Sequence, residues 1–83
     1  MKLVYFAWVR ERVGAAEERR DLPPGGRTPA AVMAWLSGQG EHYAHAFENA
    51  PLIRAAADRK HVKHDADITG AAELAFFPPM TGG

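Results

Sequence analysis

The sequence predicts an α+β domain, a sheet with helical cover on one face. Three observations predict it. β-forming residues dominate residues 1–9 and recur at residues 73–77. A Thr28-Pro29 pair opens a helix in the middle of the chain, with Thr as N-cap and Pro at the first helical position. Between that helix and the last strand, two short strand-like runs flank Asp58-Arg59-Lys60, which reads as a hairpin. Two strands, a helix and three further strands fit one sheet with one main covering helix.

Residues 1–9 read as the first strand, and Lys2 sets its parity. If Lys2 points to solvent, Val4, Phe6 and Trp8 share its face and Leu3, Tyr5 and Ala7 take the core. Both faces are then largely apolar. Cover on both sides would explain this, but 83 residues supply little material for two layers, so an exposed face reserved for a partner is the sharper reading. Residues 10–13 read as one helical turn closed by Gly14. Residues 17–22 are charged and suit a sheet edge, where charge discourages further pairing, and Pro23-Pro24-Gly25-Gly26 is a turn. In the main helix Val32, Trp35 and Leu36 share a face, flanked by Ala31 and Met33, and Trp35 and Met33 are read as packing residues. Residues 37–40 end it. A second short helix over 41–50 carries Tyr43, Ala46 and Phe47 at helical spacing and is closed by Pro51. Residues 52–57 and 61–63 form the hairpin, 65–72 a loop and 73–77 the last strand.

Composition narrows the chemistry. The length fits one small domain. Absence of cysteine removes disulfides, thiolate metal sites and a thiol nucleophile, and agrees with a cytoplasmic location. Ten Lys and Arg balance ten Asp and Glu, so charge points to neither nucleic acid nor a membrane surface, and the expected partner is protein. The first apolar stretch breaks at Arg10-Glu11-Arg12, too short for a membrane span. His42 and His45, and His61 and His64, are each three apart, but neither pair has a third ligand at a recognised spacing, so no metal site is assigned. Lys63-His64-Asp65 reads as solvated surface. No phosphate-binding glycine motif is present, so no cofactor is expected on this chain.

The chemistry that remains lies at the end. The last strand stops at Pro78-Pro79, which lack ladder donors and hold the chain extended. Met80, Thr81, Gly82 and Gly83 follow; the glycines lack Cβ and fit a channel too narrow for other residues. At roughly 3.3 Å per residue, residues 78–83 reach about 20 Å, enough to enter another protein's active site. The chain thus divides into a folded body, 1–77, and a tail, 78–83. A frayed terminus is the plainer alternative.

The ending Glu-Leu-Ala-Phe-Phe-Pro-Pro-Met-Thr-Gly-Gly (residues 73–83) resembles that of the small subunit of molybdopterin synthase, the MoaD-type sulfur carriers of the ubiquitin-like β-grasp fold. The opening Val9-Arg10-Glu11-Arg12-Val13-Gly14 is similar to that family's first strand and short helix. The resemblance implies a mixed sheet of four to five strands whose first and last lie parallel at its centre. If Leu74 and Phe76 face the helix, Ala75 and Phe77 then join Val4 and Phe6 in one apolar patch at the root of the tail. It further implies a non-catalytic sulfur donor. An E1-like enzyme, using ATP in trans, would adenylate the Gly83 carboxylate and convert it to a thiocarboxylate. Gly82 and Gly83 would enter the large subunit of a heterotetrameric synthase and deliver sulfur to cyclic pyranopterin monophosphate. Val4, Phe6, Phe77, Pro78, Pro79, Met80 and Thr81 would contact the partner. Two turns depart from the family pattern: Gly70-Ala71-Ala72-Glu73 replaces Asp-Gly-Asp-Glu, and Asp58 replaces the usual Asn. Trp8 stands where a polar residue is commoner, which bears on one partner contact. A thiazole-synthesis or tRNA-thiolation carrier shares the tail, and a ubiquitin-like binding module or protein modifier without sulfur chemistry shares the fold.

Overall fold

In the computed structural model, which describes residues 1–79, β1 (Lys2–Tyr5) is followed by α1 (Ala7–Val13) and β2 (Glu17–Arg19). Two helices, α2 (Pro29–Ser37) and α3 (Glu41–Ala46), and a single 3-10 turn (Ala50–Leu52) come next. The chain then closes with β3 (Arg54–Ala57), β4 (Lys60–Val62) and β5 (Glu73–Phe77). The five strands lie in the order β2-β1-β5-β3-β4. β1 and β5 run parallel at the centre with Leu3 opposite Leu74 and Tyr5 opposite Phe76, and every other pairing is antiparallel.

The first strand is shorter than its β-propensity suggests. It ends at Tyr5, and after the extended Phe6 the backbone enters the left-handed region at Ala7 (φ 52°), turning the chain straight into α1. Ala7 is consequently exposed rather than in the core. Trp8 is removed from the sheet face and lies half-buried beneath the Arg12 guanidinium, 4.6 Å from the ring centroid. The residues that α1 buries are Val9 and Val13, four apart on one face. Gly14 (φ 88°) ends this helix in the left-handed cap that glycine tolerates best.

Smaller differences follow from local geometry. The charged edge strand stops at Arg19, α3 ends at Ala46, and Pro51 sits in the separate 3-10 turn. Asp58 and Arg59 (φ 47° and 68°) form a two-residue hairpin turn, so Lys60 belongs to β4. The start of α2 is as expected: the Thr28 side chain accepts from the Ala31 N–H at 3.1 Å, with Pro29 at the first helical position. The longest helix, α2, contributes Val32, Met33 and Leu36 to the core, and α1 and α3 complete the layer with Val9, Tyr43 and Ala46. Trp35 packs half-buried against that core. Against these helices lie Leu3, Tyr5, Leu74 and Phe76, each at most 1% exposed. Among the described residues no helix is long and apolar enough to cross a membrane.

Candidate docking face and chain exit

Helices pack on one face of the sheet, and the register decides what the other face presents. Glu17, Val4, Ala75, Ala56 and His61 fall in a single row across all five strands. Val4, Phe6, Ala56, Ala75 and Phe77 line a shallow depression of about 360 Å³, with Lys2, Glu17, Arg59 and Glu73 at its margin. The floor is low because two of its residues are alanines. Phe6 stands beside it, 50% exposed.

The exit of the chain adjoins this depression. Phe76 and Phe77 are adjacent and have opposite fates, as strand alternation requires. Phe76 is fully buried, with its ring 5.2 Å from that of Phe47 and 6.3 Å from that of Tyr5. Phe77 is half-buried on the open face, with the His61 ring edge-on at 5.1 Å. Phe6 is tied to the same point, since its N–H donates to the Phe76 carbonyl at 3.1 Å. Its extended backbone continues the alternation of β1, so its side chain joins Val4 on the open face even though the residue lies outside the strand. Pairing stops at Phe77, and Pro78 and Pro79 follow half-buried and outside the ladder. The structure therefore brings Val4, Phe6 and Phe77 together, with Pro78 and Pro79 leaving from their edge. Met80, Thr81, Gly82 and Gly83 lie outside the described residues.

Sequence reasoning missed Ala56, Arg59 and His61 on this face. Their place depends on the pairing register of β3 with β4 and β5, and short alanine-rich strands carry little signal for it. It also missed two polar supports. Glu18 turns inward from the edge strand and accepts hydrogen bonds from the hydroxyls of Tyr5 (2.8 Å) and Tyr43 (2.6 Å), pinning β2 to α3. Burial first, then the Glu18 carboxylate, push the Tyr43 phenol up to about 12 and raise that of Tyr5 further. Arg20 closes the cluster, 3.6 Å from Glu18 and over the Trp35 ring at 5.0 Å. At the hairpin, Asp58 Oδ1 accepts from the backbone N–H groups of Ala72 and Glu73, both at 3.0 Å, fixing the start of β5.

The histidines have separate surroundings. His42 lies against the Tyr43 ring, His45 faces Glu48 at 3.6 Å, and His64 Nε2 bonds the Ile53 carbonyl. Among the described residues no three His, Cys, Asp or Glu side chains converge as metal ligands would.

A mixed sheet with its first and last strands parallel at the centre, helices on one face and an apolar depression at the exit of the last strand defines a ubiquitin-like β-grasp protein. The crystal structure of SAMP1 from Haloferax volcanii shares this fold at a TM-score of 0.71 and 24% identity, covering 100% of this chain and 98% of that one. The chain is 39% identical over 85 residues to the molybdopterin synthase sulfur carrier subunit of Escherichia coli, covering 100% of this chain and 99% of that protein. It is 30% identical over 83 residues to the protein of that name from Haemophilus influenzae, with the same coverage of 100% and 99%. The ThiS family model matches residues 3–83, and the chain belongs to that family.

Proposed function

We propose that this chain is the sulfur carrier subunit of molybdopterin synthase and acts in molybdenum cofactor biosynthesis in the cytoplasm. The observation that carries the proposal is its identity, along its whole length, with the Escherichia coli protein of that name. The geometry supports it: an uncovered apolar face adjoins the point where the chain leaves β5, so one partner surface could hold the body and receive the tail. In this reading residues 1–77 are the body, residues 78–83 the tail, and Gly83 the terminal residue.

A carboxylate resists attack because its charge is shared by both oxygens. An E1-like enzyme would therefore first join the Gly83 carboxylate to the α-phosphate of ATP, releasing pyrophosphate, and ATP is bound in trans. A sulfur nucleophile then displaces AMP to give the thiocarboxylate. Docked on the large subunit through Val4, Phe6 and Phe77, with Pro78 to Thr81 in contact and Gly82 in the channel, the tail delivers its sulfur to cyclic pyranopterin monophosphate. Hydrolysis of the resulting thioester returns the carboxylate. Positioning, rather than an acid or base of this chain, lowers the barrier. Dithiolene formation takes two sulfurs, which suits a heterotetramer holding two carriers.

Intact mass spectrometry after incubation with the activating enzyme, ATP and a sulfur donor tests the first half. The expected product has one carboxylate oxygen replaced by sulfur. Mixing that product with the large subunit and the pterin precursor tests the second half, with molybdopterin as the product. A chain that never gains sulfur is a binding module or a modifier, and one that gains sulfur but yields no molybdopterin serves another thiolation pathway.

A further inference from the structure

The two margins of the open face differ in charge pairing. On the β1–β2 side Lys2 lies 3.0 Å from Glu17 and 3.7 Å from Glu73, and with Arg19 opposite Lys2 in the register two cations and two acids sum to zero. On the β3–β4 side Arg54, Arg59, Lys60 and Lys63 are all exposed, and among the described residues none has a carboxylate within ion-pair distance. Four of the chain's ten Lys and Arg residues thus fall within residues 54–63, where the sole acid, Asp58, is occupied with the backbone of Ala72 and Glu73. Arg54 lies opposite Phe77 in the register and Arg59 lines the depression, so this charge is continuous with the apolar floor.

We infer that the β3–β4 margin is an electrostatic docking edge for a protein whose facing surface is acidic beside an apolar centre. This rests on the proposed function, which makes that protein the large synthase subunit. A protein suits the site better than a nucleic acid. Most of the floor is the aliphatic surface of Val4, Ala56 and Ala75, with Phe6 the one strongly exposed ring, and the chain as a whole is uncharged, whereas single-strand and duplex binding rest on a stacking series or a net basic charge. Unpaired surface cations act mainly on the encounter rate, and their effect fades as ionic strength shortens the screening length. The margin also sets orientation, because the neutralised β1–β2 side offers the partner no equivalent pull.

Stopped-flow association with the large subunit of the same organism tests this across a range of ionic strength. R54Q/K63Q removes two charges from the margin, and R10Q/R27Q removes two exposed charges elsewhere; thermal melts establish that both variants fold. Wild type and R10Q/R27Q should associate at equal rates that fall steeply with salt. R54Q/K63Q should associate about tenfold more slowly at low salt, with little salt dependence and an unchanged dissociation rate. Equal rates for all three proteins would overturn the inference. So would binding of a short DNA duplex that is tighter than binding of the large subunit and is lost in R54Q/K63Q, since the margin would then serve nucleic acid. If no variant associates with the large subunit, the proposed function fails first and the inference with it.

Discussion

Replacing Phe76 and Phe77 by alanine, one at a time, separates the core of the domain from its candidate docking face. Phe76 is fully buried, and its ring meets those of Phe47 and Tyr5. Truncation removes that ring from a fully buried site between the Tyr5 and Phe47 rings, where little can collapse into the gap, so the cost should be about 3–5 kcal/mol. A domain of this length is stable by only about 4–12 kcal/mol, so F76A should lose about a quarter or more of its stability. Phe77 has solvent on one side and the His61 edge on another, and F77A should cost under about 1 kcal/mol. Urea unfolding followed by circular dichroism reads both from midpoint shifts at unchanged slope. Binding to the large subunit should show the reverse order: F77A weakens it by about 2 kcal/mol, roughly thirtyfold, as loss of a central aromatic anchor does. If F76A unfolds near the wild-type midpoint, or F77A is strongly destabilised while binding normally, the assignment of the two faces is wrong.

The turn at the hairpin offers a sharper backbone test. D58A removes the acceptor of two backbone donors and should lower stability by about 1–2 kcal/mol, D58N should keep most of it, and R59G, relieving a left-handed φ, should add about 0.5–1 kcal/mol. In E18Q the Tyr43 phenol should titrate at lower pH than its value of about 12, though not at the free value, because burial remains; ultraviolet absorbance of tyrosinate measures this. Since the folded state holds that proton more tightly than the unfolded chain, stability is full below the unfolded value of 10.0 and falls as pH rises through about 12, and this fall should shrink in E18Q. Adding one residue after Gly83, or deleting it, should abolish molybdopterin formation while docking survives, because the reactive group moves by about 3.3 Å. An extended chain that supports synthesis at the normal rate without being trimmed would remove Gly83 from its assigned role.

Much of the architecture was legible because its signals are local and chemical. Thr28-Pro29, Pro78-Pro79 and the alternation Leu74, Ala75, Phe76, Phe77 each impose geometry without help from distant residues. The first strand misled for the same reason: residues 6–9 are good β-formers, and the event that converts them to helix is a left-handed alanine, which no propensity favours. The spacing of Val9 and Val13 was the available sign. Of the candidate face, parity put Val4 with Phe6 and Ala75 with Phe77, and the family resemblance set the two strands side by side. Ala56, Arg59 and His61 did not, since three-residue and four-residue strands of alanine and charge can slip register without exposing an apolar face. Glu18 was hidden by its chemistry, as an inward carboxylate on an edge strand is recognisable only once two tyrosine hydroxyls are seen to reach it.

The position of β5 has a consequence for how the chain is made. β1 pairs only with β2 and β5, and β3 only with β4 and β5, so the two halves of the sheet share no ladder until β5 lies between them. During synthesis residues 73–77 leave the ribosome after every other strand, and until then the inner edges of β1 and β3 stand unpaired. The sheet is therefore completed in one late, long-range step, and a chain stalled before residue 73 lacks Leu74 and Phe76 from its core and Ala75 and Phe77 from the candidate docking face. In the proposed role, the segment that carries the sulfur is joined directly to the strand that completes the fold, so only a finished domain would be offered to its activating enzyme.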